Sequence, residues 1–144
     1  MTRDNFLGFG CSATTLLKDQ FKINTFSVEE YGKRIEEEKL PTSLTIRFTK
    51  RQRMIYYLFW TAYSTKVDSR DFEKFFGCKL KKMYRFELGL AKLLGFVEEE
   101  NGVYQMTLKG AFYYHYYENF YTLAYIDKMW GLMRKEAFPE RIEL

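Results

Sequence analysis

The clearest candidate for ligand chemistry is a short glycine-bearing segment near the start of the chain, with the sequence Gly8-Phe9-Gly10-Cys11-Ser12-Ala13. Because glycine lacks a Cβ, a backbone of this kind can approach a ligand closely and turn its N–H groups toward it. The pattern therefore predicts a ligand-contacting loop. The alternative is an ordinary tight turn, since Gly-x-Gly alone is a common sequence.

Other reactive side chains are few and far apart. Cys11 and Cys78 are the two cysteines, and neither has a Cys/His neighbour at a metal-ligand spacing. The sequence therefore favours two free thiols over a disulfide framework or a zinc site. His115, the single histidine, lies in a run of aromatic residues and is predicted to be a packed residue. These side chains do not supply a nucleophilic triad.

Composition indicates a folded chain of one domain, or of one small domain with a piece of another. Hydrophobic residues make up 47% of the 144 residues and aromatic residues 19%, which is far from the polar signature of disorder. No apolar run reaches the roughly 18 residues of a membrane span, and the first ten residues contain both an acid and a base. The expected location is the cytoplasm, without membrane association.

In the first third of the chain, Phe6 to Phe9 is predicted to be a short strand that leads into the glycine turn. A strand so close to the N-terminus favours a chain that starts in the middle of a larger sheet. Ser27-Val28-Glu29-Glu30 has the form of a capping box, which predicts a helix that runs to about Glu38 and stops before Pro41.

The remainder, residues 49–144, is predicted to be a domain with the element order of a winged helix-turn-helix, which covers roughly 49–135. The fold class is therefore α+β and mostly helical. Its predicted elements follow from capping boxes, C-terminal glycines and the Asn-Gly hairpin signal. They are a helix over 50–64 capped by Thr49, a helix from Asp68 or Ser69 to Gly77, a helix over 80–94, a hairpin around Asn101-Gly102, and a helix over 109–135 capped by Thr107.

A basic stripe on the helix over 80–94 is compatible with nucleic-acid binding. Lys81, Arg85 and Lys92 share one side at about 100° per residue. The opposite, broad apolar face consists of Met83, Phe86, Leu90, Leu93 and Leu94. In a DNA-binding winged helix this element would enter the major groove. Three glutamates on the predicted wing, residues 98–100, oppose phosphate, so a solvated helix face is the alternative.

The final predicted helix is aromatic around most of its circumference, and such a helix needs cover on more than one side. Core packing is expected to account for most of its rings. Docking onto another domain, or onto a second copy of the chain in a homo-oligomer, would cover the others. The rings belong to Phe112, Tyr113, Tyr114, Tyr116, Tyr117, Phe120, Tyr121, Tyr125 and Trp130.

Together these segments resemble the C-terminal portion of the oxygen-independent coproporphyrinogen III oxidase family of radical S-adenosylmethionine (SAM) enzymes. The segment FLGFGCSA resembles the end of that family's barrel. The later segments Leu94-Gly95-Phe96 and Met106-Thr107-Leu108-Lys109-Gly110 resemble its helical domain. Further likenesses, in the same order as in the family, are Asn24, Ser27, Tyr31, Ile35 and Gly77.

The resemblance implies that residues 1–48 are the end of a partial TIM-type barrel and that residues 49–144 cover its mouth. It implies SAM, a [4Fe-4S] cluster and a tetrapyrrole substrate for the full-length family. It also implies that Gly8, Gly10, Ser12 and Ala13 face the SAM or substrate pocket. The family's CxxxCxxC motif is absent from this sequence. The expected function is a substrate-covering portion that is inactive without a barrel supplied elsewhere, and the alternative is a winged-helix nucleic-acid-binding module.

Overall fold

A computed structural model describes residues 5–140 of the chain, which form helices and two three-stranded antiparallel sheets. In chain order the elements are β1 (Thr14–Leu17), β2 (Gln20–Asn24), α1 (Val28–Glu36), β3 (Thr42–Arg47), α2 (Lys50–Ala62), β4 (Lys66–Asp68), α3 (Ser69–Phe76), α4 (Leu80–Met83), α5 (Arg85–Leu93), β5 (Val97–Glu100), β6 (Val103–Met106), α6 (Leu108–Tyr121), a π-helical segment (Thr122–Ile126) and α7 (Asp127–Lys135).

The described residues divide into two compact units. One unit comprises residues 54–119, and the other comprises residues 5–53 together with 120–140. The sequence places a boundary near residue 48, whereas the chain passes between the units at 53–54 and again at 119–120. The second passage lies inside helix α6, where the sequence has no residues typical of a linker.

The N-terminal sheet differs from the prediction. The strand predicted over residues 6–9 is wrong, because within that range Phe6 alone pairs, through one antiparallel bridge to Leu16. The sheet is a meander in the order β1-β2-β3. Lys18 adopts a left-handed conformation with φ of 53° in the turn between β1 and β2. A lysine gives no sequence signal for that conformation, and this hairpin was not predicted.

Helix α1 confirms Ser27 as the N-cap, without the reciprocal bond of a capping box, because the Ser27 N–H donates to the Thr25 hydroxyl. The Ser27 hydroxyl accepts a hydrogen bond from the Glu30 N–H at 3.2 Å, and the helix ends at Glu36. An acidic first turn and a basic last turn complement the helix dipole. The helix lies between β2 and β3 in sequence and carries Tyr31, which contacts the glycine turn.

In the unit of residues 54–119, the core is an aromatic cluster. Its buried members are Met54, Tyr57, Phe72, Leu80 and Tyr104. The Phe72 ring is completely buried, and its centroid lies 5.9 Å from that of Tyr57. Asp68 caps α3 and Gly77 ends it with φ of 67°, so both predicted boundaries of this helix are confirmed.

The predicted hairpin is also confirmed. Asn101 and Gly102 have φ of 51° and 80°, the two positive values that the connection between β5 and β6 requires. Strand β4 pairs with β6 on the other side, which gives the order β4-β6-β5.

Two predicted helices are interrupted. The helix predicted over 80–94 breaks at Tyr84, whose φ of −128° and ψ of 39° lie outside the helical region. The helix predicted over 109–135 contains the π-helical segment Thr122–Ile126. Its capping residue is confirmed, since the Thr107 hydroxyl accepts from the Gly110 N–H at 3.0 Å. Neither interruption involves proline.

Candidate functional site

The glycine turn connects the Phe6 bridge to the first strand and is fixed by backbone hydrogen bonds. The Ser12 N–H donates to the Thr25 carbonyl at 2.9 Å, and the Ala13 carbonyl accepts from the Asn24 N–H at 2.9 Å. Thr25 is completely buried. The turn is therefore anchored on the end of β2, and residues 8–13 form a continuous, well-defined loop.

Two side chains form hydrogen bonds with the backbone in the middle of this turn. The Asn24 side-chain amide donates to the Gly10 carbonyl at 2.9 Å, and the Gly10 N–H donates to the Tyr31 hydroxyl at 3.2 Å. The sequence analysis named Asn24 and Tyr31 only through the family resemblance. The structure brings both into contact with the glycine turn, a relation that their separations of 14 and 21 residues do not reveal.

The two glycines of the turn serve different purposes. A Cβ at Gly8 would overlap the carbonyl of Thr14, so Gly8 permits a close approach between two backbone segments of the chain itself. Gly10 has φ of 100°, and a Cβ there would meet nothing within 4 Å. Gly10 therefore faces open space and leaves room for a ligand, while its φ explains why glycine occupies the position.

The exposed part of the turn offers polar groups to a ligand. Within residues 5–140, the N–H groups of Phe9 and Cys11 make no hydrogen bond. Ser12 is exposed with φ of 58°. The structure thus brings Gly8, Gly10, Ser12 and Ala13 together in one turn, and their contact with a SAM or substrate molecule remains a prediction.

The two cysteines are not part of a metal site among the described residues. Cys11 is partly buried and its thiol donates to the Thr25 carbonyl at 3.0 Å, so it fixes the turn. Among the described residues, no group of three or more His, Cys, Asp or Glu side chains could hold a metal ion. These residues do not fit a [4Fe-4S] cluster, whose irons are held by several thiolates.

Two of the three residues of the basic stripe pair with one carboxylate of the wing. Glu99 on β5 accepts hydrogen bonds from Lys92 at 2.9 Å and from Lys81 at 3.4 Å. The hydrogen bond from Lys92 is the main cause that lowers the pKa of the Glu99 carboxyl below its ordinary value. This carboxylate opposes phosphate at this position.

Apolar side chains share the exposed surface of α5 with charged ones. Phe86 and Leu93 are among the most exposed apolar residues of the described chain, and Leu90 is exposed as well. Met83 at the end of α4 and Leu94 just after α5 are also exposed. Leu88 packs against the core cluster. Helix α5 therefore has apolar residues on its buried side and on its exposed side. The amphipathic pattern did not predict the exposed ones.

His115 is a packed residue, as predicted. Its ring lies edge-on to Tyr63, with 5.4 Å between centroids, and edge-on to Tyr114, with 5.3 Å. Burial raises the pKa of the Tyr114 hydroxyl above its ordinary value, and that hydroxyl donates to the Phe59 carbonyl at 2.6 Å. The opposite side of α6 is exposed, where Phe112 and Tyr116 stack. Eight of the nine rings named in the predicted final helix are exposed, so the expectation that core packing covers most of them is wrong.

No helix within residues 5–140 combines the length and the apolar character that crossing a membrane requires.

The fold and the sequence can be compared with those of known proteins. The fold defined above is a mixed α/β one, with two small antiparallel sheets and helices. No family model and no curated protein matches the sequence.

A solved structure similar to this chain is that of coproporphyrinogen III oxidase (HemN) from Escherichia coli, a radical SAM enzyme. The match has a TM-score of 0.56 and a sequence identity of 19%, and it covers 77% of this chain and 26% of that one. Likeness at this identity establishes a shared fold. The chain spans about a quarter of the length of the protein it matches.

Proposed function

We propose that this chain is the substrate-covering portion of a radical SAM protein of the coproporphyrinogen III oxidase type. In this proposal the turn of residues 8–13 faces SAM or a tetrapyrrole in a pocket completed by a barrel from elsewhere. The observation that carries the proposal is the fold likeness to the E. coli enzyme over 77% of this chain. The same family was indicated independently by the order of the sequence segments.

The geometry of the turn supports a binding role. Gly10 is half-buried with free space at the position of a Cβ, and hydrogen bonds with Asn24 of β2 and Tyr31 of α1 fix its peptide groups. A loop that is fixed before a ligand arrives loses little conformational entropy on binding. In the proposed site, Tyr31 and Asn24 position the turn, while Gly10 and Ser12 contact the ligand.

Radical chemistry requires a cluster that this chain does not supply. The sequence contains two cysteines, and Cys11 uses its thiol within the turn. The cluster and the reductive cleavage of SAM are therefore assigned to the barrel, and the chain contributes binding, cover and exclusion of water.

The element order of residues 49–135 supports a winged-helix-like module, with α5 in the place of a recognition helix and β5-β6 as the wing. The exposed surface of α5 favours contact with protein over contact with DNA, because Phe86 and Leu93 are exposed and Glu99 pairs with Lys81 and Lys92. Affinity for duplex DNA that falls steeply with salt, and is lost in the Lys81→Ala/Arg85→Ala variant, would favour the nucleic-acid alternative.

Anaerobic reconstitution tests whether the cluster and the cleavage of SAM belong to the barrel and not to this chain. With iron, sulfide, SAM and a reductant, the chain is expected to form no [4Fe-4S] absorbance and no 5′-deoxyadenosine, because its thiolates are too few. The Cys11→Ala/Cys78→Ala variant is the control and identifies iron bound by thiols nonspecifically. SAM cleavage by the isolated chain that disappears in this variant would contradict the proposal.

A further inference from the structure

The outer face of α6 is a continuous apolar surface within the unit of residues 54–119. Phe112, Tyr113, Tyr116 and Tyr117 are exposed by 66%, 50%, 69% and 61%. Phe112 and Tyr116 lie one helical turn apart, and their rings stack with centroids 6.5 Å apart and an interplanar angle of 18°. These four residues, with Leu93 and Leu108, are called the α6 surface below.

The C-terminal end of α5 extends this surface. The Lys109 ammonium donates to the Leu94 carbonyl at 2.8 Å, and the rings of Phe96 and Tyr113 lie 5.2 Å apart. The end of α5 is thereby held against the first turns of α6. Leu93 and Leu108, exposed by 83% and 90%, lie at this junction.

The area of the α6 surface matches what a stable dimer buries. An aromatic side chain offers about 150–250 Å², so the four rings alone expose roughly 500 Å². With the two leucines the surface approaches the roughly 800 Å² that each partner buries in a standard interface. The largest apolar patch on an ordinary monomer is about 300–600 Å². A surface of this size needs a partner.

Charge distribution favours a second copy of the same chain as that partner. Residues 110–117 contain no Asp, Glu, Lys or Arg. In an interface with two-fold symmetry the residues near the axis lie close to their own symmetry mates, so a charge there would face a like charge. The α6 surface lacks such a charge and offers stacked rings that can pair with equivalent rings.

We propose that two copies of this chain associate through the α6 surface, with α6 of one copy packed against α6 of the other. Phe112 and Tyr116 are the central contacts, since they form the stacked pair in the middle of the charge-free segment. This inference is independent of the proposed function, because the glycine turn belongs to the other compact unit.

Sedimentation velocity over a range of protein concentrations tests this inference. The wild-type chain is expected to be a dimer at tens of micromolar, and the Phe112→Lys/Tyr116→Lys variant is expected to associate at least about 100-fold more weakly, because buried aromatic residues carry much of the energy of such interfaces. Leu40→Lys, at an equally exposed apolar position in the other unit, is the control and should dimerise like the wild type.

The Phe112→Ser/Tyr116→Ser variant repeats the measurement without added charge, and circular dichroism verifies that each variant retains its helices. Loss of the dimer in both double variants supports the inference. A monomeric wild-type chain at these concentrations, or a dimer that survives in both folded double variants, overturns it.

Discussion

Replacement of Phe72 by alanine is expected to lower the free energy of unfolding by about 3–5 kcal/mol, the range for loss of a fully buried aromatic side chain. Phe72 is completely buried, and its ring contacts those of Tyr57, Phe76 and Tyr84. The cost combines lost transfer free energy with the cavity that the rigid neighbours leave behind. Urea unfolding followed by tryptophan fluorescence and circular dichroism measures it.

Phe86→Ala is the matched control for this variant. Phe86 is 79% exposed on α5, so its removal should change the free energy of unfolding by less than about 0.5 kcal/mol. Equal effects at the two positions would show that Phe72 is not the centre of the core in this unit.

Substitution of Gly110 by alanine is expected to destabilise the chain by about 1–3 kcal/mol or more, the cost of overpacking a tight contact. A Cβ at Gly110 would overlap the Phe96 carbonyl oxygen and lie 2.8 Å from its carbon. These are backbone atoms, so no side chain can rotate away. The first turn of α6 or the segment before β5 would have to move.

The Gly89→Ala substitution should change the stability of the chain in the opposite direction. Gly89 lies in α5, where a new Cβ would meet nothing within 4 Å, so alanine should stabilise the chain by about 0.5–1 kcal/mol through its higher helix propensity. Thermal unfolding of both variants measures the difference. A stabilised Gly110→Ala variant would contradict the close packing of α6 against Phe96.

Local signals predicted the boundaries of several elements correctly. The caps at Ser27, Asp68 and Thr107 and the turn at Asn101-Gly102 each depend on a hydrogen bond or a φ value set by neighbouring residues. Such features are encoded within a few positions and can be predicted from the sequence without knowledge of the rest of the fold.

Features that depend on distant residues were missed. The sheet β1-β2-β3 forms from short strands with a lysine in a left-handed turn, and its register is set by pairing between residues as distant as Gln20 and Arg47. The break at Tyr84 and the π-helical segment after Tyr121 have no proline, so the period of 3.6 residues continues across them in the sequence.

Part of the candidate site was predictable. The glycine pattern indicated a turn, but it did not reveal that Gly8 is required by the Thr14 backbone or that Gly10 alone of the two is open. The positioning roles of Asn24 and Tyr31 arise from hydrogen bonds across 14 and 21 residues. Those contacts are what give the turn a fixed shape.

Titrations with coproporphyrin III, followed by its fluorescence, and with SAM, followed by calorimetry, test the central claim that this turn contacts SAM or a tetrapyrrole. The wild-type chain is expected to bind one of these two ligands saturably. The Tyr31→Phe/Asn24→Ala variant should bind about 5- to 150-fold more weakly, since it loses both hydrogen bonds to Gly10, and each contributes about 0.5–1.5 kcal/mol. Tyr125→Phe removes a hydroxyl from the exposed Tyr125 and should bind like the wild type. Absence of saturable binding by the wild-type chain, or equal affinity in the double variant, would contradict the account.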